Sequence, residues 1–276
     1  MRIASSEWRV ESAAAIPYSL LAIRYSLFAV RLLVALQLAP VVAHADQRAD
    51  FLGGLTRDCR GCDLSGANFK RHDLSGADLT GANLQQANFH DADLAGARLS
   101  GADLTGANLN KADLRRADLA GAKLHAAMLY AANLDGARLV GADLTDALMG
   151  TARLTRGDLT RTILRNADLR KARLADAILV GADLSAAALD FAVLRSAKLD
   201  GASLIEARLI EAQCNDASLI GADLTDADAS GANFRGANFA RANLAGASFR
   251  KADLYDAFLD EAIFRDTTMP DGTTRP

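Results

Sequence analysis

The sequence predicts an all-β solenoid, in which short extended segments wind into a coil and successive coils stack on one another. The first observation is a period of five residues that continues without insertion from Cys62 to Phe264. Its 41 repeats have central residues at 64, 69, 74 and onward to 264, and all but three of these are Leu or Phe. The second observation is that Ala stands two residues before the centre in 37 repeats. Both positions are therefore expected to face one buried interior.

A period of five excludes the two regular alternatives. In an α-helix, five residues advance about 500° around the axis, so successive leucines would lie about 140° apart and share no face. In an unbroken strand, side chains alternate with a period of two, so an odd repeat would send every second leucine to the opposite surface. The pattern fits if Ala and Leu point inward from a short extended segment and the next two residues turn a corner. Gly, Ser, Thr, Asn and Asp are frequent around these corners, as tight turns require.

The tandem pattern A(D/N)LXX, as in residues 77–81 and 102–106, resembles that of the pentapeptide repeat proteins. The resemblance covers residues 62–266 and implies a right-handed, four-sided β-helix with four repeats in each coil. On that basis the chain forms about ten coils, and with roughly 4.8 Å between stacked strands the rod is about 50 Å long.

Residues 1–45 have the features of a signal peptide. The apolar stretch Leu32–Val42 precedes the small-x-small triplet Ala43–Ala45. It is shorter than the about 20 apolar residues of a membrane span. We expect cleavage after this triplet, a periplasmic or extracellular mature chain, and no integral membrane span in it; an uncleaved interfacial anchor is the alternative. Because residues 1–31 exceed the usual charged leader region, we expect the true translation start near Val30.

The rest of the chain divides into a cap, a solenoid and a tail. An open solenoid end exposes backbone edges and core side chains, so it needs a cap. Residues 46–61 form the expected N-terminal cap, with a short helix, and the solenoid spans residues 62–266. The helix carries three apolar residues at near-helical spacing: Phe51, Leu52 and Leu55. Residues 267–276, where Pro-Asp-Gly breaks the pattern, form the expected C-terminal tail.

Two cysteines stand where the repeats begin, in the sequence Cys59-Arg60-Gly61-Cys62. A thioredoxin-like redox pair would need a βαβ context, whereas a β-solenoid follows here. In an oxidising compartment Cys59 and Cys62 are a candidate structural disulfide, with two reduced cap thiols as the alternative. A zinc site would add His72, at an inward position, and would still need a fourth ligand. Cys214, at a central position, is expected to be a buried, inert thiol.

The sequence shows no catalytic, cofactor-binding or metal-binding constellation. Its hydrophobic content is 50% but its aromatic content only 5%, which is unlike an enzyme with an aromatic-lined pocket. Aspartates precede the centre of many repeats, where solvated turn carboxylates are the ordinary explanation. The glycine-rich corners lack phosphate-loop spacing. We therefore expect no enzyme activity, no cofactor and no metal.

The outward positions predict two kinds of surface. One face, centred on residues 64, 84 and 104, carries nine acidic and three basic residues, whereas the next face carries five acidic and eight basic. The acidic face includes Asp103, Asp143, Asp146, Asp183, Asp223 and Asp226. Large apolar residues are absent from outward positions in the first three coils and then occur together, which predicts one contiguous interaction patch. Its members are Met128, Tyr130, Val140, Ile178, Val180, Phe191, Ile205, Ile210 and Ile220. The alternative is a distorted stretch near Gly157 and Thr162, where such side chains fill gaps.

These features favour an exported, non-catalytic scaffold whose flat faces contact an unknown protein partner or a second copy. The net charge of -3 excludes a polybasic binder, and no nucleic-acid partner is expected. Some pentapeptide repeat proteins resemble DNA in shape and charge and protect type II topoisomerases from quinolones, so a DNA-mimicking gyrase-binding protein is the alternative. A DNA mimic about 50 Å long would present about 30 negative charges, because duplex DNA carries one per about 1.7 Å. The striped faces carry far fewer.

Overall fold

The computed structural model describes residues 47–276, so the predicted signal peptide lies outside the described residues. Residues 47–52 form a short helix, α1. Two strands, β1 (Thr267–Thr268) and β2 (Thr274–Arg275), pair antiparallel at the C-terminal end. Between these elements the chain consists of single parallel bridges joined by turns. No helix in the described part of the chain combines the length and the hydropathy needed to cross a membrane.

Each coil pairs with the next in a constant register. The residue before each centre forms a parallel bridge with its equivalent four repeats later, from Asp58 with Asp78 through to Ser248 with Thr268. Main-chain hydrogen bonds accompany these bridges; for example, the Leu64 N–H donates to the Asn83 carbonyl in the next coil at 2.8 Å. Because each coil therefore holds four repeats, and each repeat forms one side, the chain forms a four-sided β-helix.

A turn forms the corner after each central residue. The Ala67 N–H donates to the Leu64 carbonyl at 3.1 Å, and Gly66 between them has a φ of 65°. The second residue after the centre adopts this left-handed conformation along the rod, as in a type II turn. Non-glycine residues such as Arg116 and Phe191 adopt it too, although it costs an L-residue roughly 1–2 kcal/mol. The adjoining coils hold these corners in place, because the N–H of the corner residue itself donates to the next coil.

Alanine and leucine fill the interior as predicted. From residue 77 to residue 249, the hydrophobic side chains at the alanine and central positions are at most 2% exposed. Aromatic rings occupy the interior near both ends. Near the N-terminal end, Phe69 and Phe89 stack with their centroids 5.2 Å apart. Three more rings form edge-to-face contacts near the C-terminal end: Phe234, Phe239 and Phe249.

Helix α1 buries one apolar side chain against the first coil. Phe51 is 4% exposed, and its ring meets that of Phe69 edge to face at 5.9 Å. Leu52 and Leu55 do not join it in the interior, since they are 46% and 80% exposed. The helix ends at residue 52, and Gly54, with a φ of 73°, turns the chain away before Leu55 can reach the helix face.

The segment expected to be a C-terminal tail continues the coil and then forms a hairpin. Thr268 bridges Ser248, so Thr267, Thr268 and Met269 occupy the alanine, outward and central positions of a further repeat. Thr267 is buried, and its hydroxyl donates to the Leu244 carbonyl at 2.7 Å. The predicted solenoid boundary at residue 266 is therefore too early. Threonine replaces alanine here because its hydroxyl finds a main-chain acceptor inside the coil.

Candidate interaction surfaces

Each of the four faces presents a fixed grid of outward side chains. Face 4 begins with the repeat centred on 59, and faces 1, 2 and 3 begin with the repeats centred on 64, 69 and 74; each face continues at every fourth repeat. The residue before each centre and the two residues after it point outward. Faces 1 and 3 are opposite each other, as are faces 2 and 4.

The predicted acidic residues form two columns on face 1. The first column stands before the centre in every second coil and comprises Asp103, Asp143, Asp183 and Asp223; the second lies at the following corner and comprises Asp146 and Asp226. Cations interrupt the first column. Lys123 lies between Asp103 and Asp143 in the ladder, and Arg165 Nε donates to Asp183 at 2.5 Å. The face is therefore acidic in alternate coils and not uniformly negative.

Hydrogen bonds from their own turns favour the ionised form of two aspartates in the first column, Asp143 and Asp183. Burial raises the pKa of Asp143, but the Thr145 hydroxyl and N–H donate to it at 2.6 and 3.0 Å, and its pKa lies below the usual value. Burial likewise raises the pKa of Asp183, and the bonds from Ser185 and Arg165 outweigh it, so this pKa is also lowered. Because the turns fix the orientation of these carboxylates, face 1 presents an ordered array of negative charge.

The prediction of one contiguous apolar patch is wrong. The four-repeat register distributes its members over three faces: Met128, Tyr130, Phe191 and Ile210 on face 2, Val140, Ile178, Val180 and Ile220 on face 4, and Ile205 on face 1. Outward positions two repeats apart lie two faces apart, so Tyr130 and Val140 are on opposite sides of the rod. The alternative of a distorted stretch is also not observed, because the bridges continue unbroken past Gly157 and Thr162. All nine side chains are half-buried or exposed.

A longer recurrence, at every eighth repeat, lies at the corner between faces 4 and 1. The sequence Leu-Val-Gly-Ala-Asp-Leu at 139–144 returns at 179–184, and with Ile in place of Val at 219–224. The apolar column Val140, Val180 and Ile220 therefore stands beside the aspartate column of face 1. Successive members are two coils apart, which is roughly 10 Å. The sequence alone shows the forty-residue recurrence of Val140, Val180 and Ile220, and the bridge register adds the aspartate column beside it.

The cysteine region lies at the start of the first coil. Cys59 and Cys62 are buried and joined in a disulfide. His72, expected to point inward, is exposed, and its Nδ1 lies 3.1 Å from the Lys70 carbonyl oxygen. An imidazole is too large for a space that alanine fills elsewhere. Because Cys59 and Cys62 are oxidised and His72 is exposed, none of the three is placed to bind the predicted zinc ion. Within residues 47–276, no three His, Cys, Asp or Glu side chains are grouped to hold a metal ion. Burial raises the pKa of the Cys214 thiol.

The comparison with protein families gives a match to the pentapeptide repeats, with 8 copies. The matched residues are 58–96, 97–134, 107–146, 151–185, 187–226 and 227–266. The chain belongs to the pentapeptide repeat family. Among solved structures, this pentapeptide repeat protein is similar to HetL from the cyanobacterium Nostoc, a pentapeptide repeat protein involved in heterocyst differentiation regulation. The two are 36% identical over 82% of this chain and 97% of HetL, with a TM-score of 0.63.

Two further solved structures are similar to part of the chain. A pentapeptide repeat protein from the thylakoid lumen of Arabidopsis thaliana is 38% identical over 41% of this chain and 72% of its own, with a TM-score of 0.30. QnrB1, a plasmid-mediated fluoroquinolone resistance protein, is 23% identical over 64% of this chain and 84% of its own, with a TM-score of 0.42. A comparison with curated proteins gave no significant match. Of these three structures, HetL has the highest TM-score, so the structural comparison rests on it.

Proposed function

We propose that this pentapeptide repeat protein is an exported, non-catalytic scaffold that binds a protein partner through the corner between faces 4 and 1. The observation that carries the proposal is the eight-repeat array, in which Val140, Val180 and Ile220 stand beside a column of aspartates. Apolar side chains next to oriented carboxylates are typical of protein-binding surfaces, because the apolar groups provide burial and the charged groups set the register.

The rod provides a rigid frame for such an array. Every outward side chain of the array is attached to a backbone bonded to the coils on either side. A partner would therefore meet a surface that is already ordered and would lose little conformational entropy on the scaffold side. HetL is involved in a regulatory process, and a binding role of that kind needs surface complementarity without catalysis.

The ends of the rod are part of the same proposal. The bridges from residue 58 to residue 268 correspond to about ten coils of four repeats each. We assign α1 the role of an N-terminal cap, because Phe51 covers Phe69 and Arg48 Nε donates to the Asp63 carbonyl at 2.7 Å. These contacts would shield the first coil from edge-to-edge pairing.

Export is tested by the intact mass of the full-length gene product recovered from each cell fraction. We expect a periplasmic or extracellular chain that begins near Asp46. Alkylation without reductant should modify at most Cys214, because an oxidising compartment preserves the Cys59–Cys62 disulfide. A cytoplasmic chain that begins within residues 1–31 and carries three alkylated thiols would contradict export. Inhibition of gyrase supercoiling by that cytoplasmic protein would favour the DNA-mimicking alternative.

The binding surface is tested with the triple variant V140S/V180S/I220S. The melting temperature should stay nearly unchanged, because all three side chains point outward, whereas association with the partner or with a second copy should be lost. Thermal circular dichroism and analytical ultracentrifugation, with affinity capture from the envelope fraction, measure the two properties. The matched control is Y130S/F191S/I210S on face 2, which should retain association. A large loss of stability with association intact would contradict the assignment.

A further inference from the structure

An arginine-lined notch lies at the corner between faces 3 and 4, on the side of the rod away from the acidic columns. Arg115, Arg116, Arg153 and Arg156 line it together with Asp135 and Gly136, and the notch has a volume of about 920 Å³. Arg116 and Arg156 occupy the same corner position two coils apart, and Gly136 occupies that position in the coil between them. Because Gly136 has no side chain, the Arg116 side chain passes beside it, with its Cγ 3.7 Å from where a Cβ of residue 136 would lie.

Two of the four guanidinium groups already have carboxylate partners. Arg115 Nη2 donates to Asp113 at 2.5 Å, and Arg153 Nη2 donates to Asp135 at 2.5 Å. Arg116 and Arg156 are exposed and make no ion pair or side-chain hydrogen bond with any residue from 47 to 276. The notch therefore holds two guanidinium groups without a carboxylate partner, although the chain as a whole is net negative.

Arg116 and Arg156 occupy corner positions, which have a left-handed backbone along the whole rod. Arg116 and Arg156 have φ values of 56° and 57°, in the left-handed region that favours glycine. Glycine occupies the same corner column at Gly96 and Gly136 within the notch. Arginine at these two corners therefore opposes local backbone preference and gains no intramolecular ion pair in exchange. Arg161 and Arg241 share this conformation, so what distinguishes Arg116 and Arg156 is that both line one notch.

We propose that this notch binds a compact oligophosphate group, with Arg116 and Arg156 each donating to one of its phosphates. The planar guanidinium fork matches phosphate oxygens and forms charge-assisted pairs with them. The two corners are roughly 10 Å apart along the rod, and both arginine side chains line the notch. A chain of linked phosphates concentrates enough negative charge in that length to meet both guanidinium groups, whereas a single carboxylate meets only one.

The test is isothermal titration of the mature protein with tripolyphosphate, at low and at physiological salt. Wild type should bind, with weaker binding at the higher salt concentration, because the contacts are ionic. The variant R116G/R156G should bind at least ten-fold more weakly. Glycine suits a left-handed corner, so this variant is expected to melt no lower than wild type, which separates loss of binding from loss of fold.

The matched control is R161G/R241G. Arg161 and Arg241 are also left-handed corner arginines, with φ values of 55° and 60°, but they lie on the corner after face 4, outside the notch. This variant removes the same charge and should bind tripolyphosphate as wild type does. An equal loss in both double variants, or no binding by wild type, would overturn the proposal. Binding of pentaglutamate as tight as that of tripolyphosphate would overturn the assignment to phosphate.

Discussion

Leu144→Ala, in the middle of the rod, is expected to lower the free energy of unfolding by about 2–5 kcal/mol. Leu144 is fully buried, and its removal would leave a cavity between the leucines of the two neighbouring coils on face 1. Main-chain hydrogen bonds between coils prevent the coil from closing over that cavity, since the Leu144 N–H donates to the Ile163 carbonyl at 2.7 Å. Urea unfolding followed by circular dichroism measures the loss.

The matched control for this substitution is Leu259→Ala, at the central position of the last coil. Leu259 is only partly buried, because no further coil covers that face, so the same truncation should cost less than half as much. An equal loss at the two positions would show that burial between coils does not set the cost. A loss below about 1 kcal/mol at Leu144 would show that the coils relax around the cavity.

The interior was predictable because a five-residue period leaves one solution for where Ala and Leu point. Once Ala142 and Leu144 are placed inward, Asp143 between them must point outward, and the acidic column of face 1 follows from the sequence alone. The same geometry fixed the burial of Cys214, which replaces a central leucine. Patterned burial is a property of the repeat, so every copy reinforces the inference.

The ends and the faces were harder to predict, for two different physical reasons. At the ends, individual side chains decide: Thr267 satisfies its hydroxyl inside the coil and extends the repeat, whereas His72 is too large for its inward position and turns out to solvent. On the faces, proximity in sequence misleads, because Tyr130 and Val140 are two repeats apart and therefore on opposite sides. Arg115 and Arg153 form ion pairs with aspartates, whereas Arg116 and Arg156 do not. This difference depends on side-chain conformations that no sequence pattern specifies.

A second large effect is expected at Asp190, where Arg208→Ala should lower the free energy of unfolding by about 2–3 kcal/mol. The Asp190 side chain is only 5% exposed, and Arg208 Nη2 donates to its Oδ2 at 2.5 Å. Within residues 47–276 its other oxygen, Oδ1, has no hydrogen-bond partner. Removing Arg208 would leave a buried carboxylate without its ion-pair partner, and much of the cost of keeping that charge out of water would no longer be offset.

A double-mutant cycle tests this origin of the effect. Asp190→Ser places at this position the residue that the same column carries at Ser230, and it removes the buried charge. In the Asp190→Ser background, Arg208→Ala should therefore be nearly neutral, and the coupling between the two sites should approach the whole effect of the single substitution. The matched control is Arg138→Ala, which breaks the 3.0 Å pair with Asp118, whose side chain is 41% exposed. Exposed pairs contribute about 0–1 kcal/mol, so Arg208→Ala must exceed Arg138→Ala in urea unfolding. Equal losses would show that burial of Asp190 carries no penalty of its own.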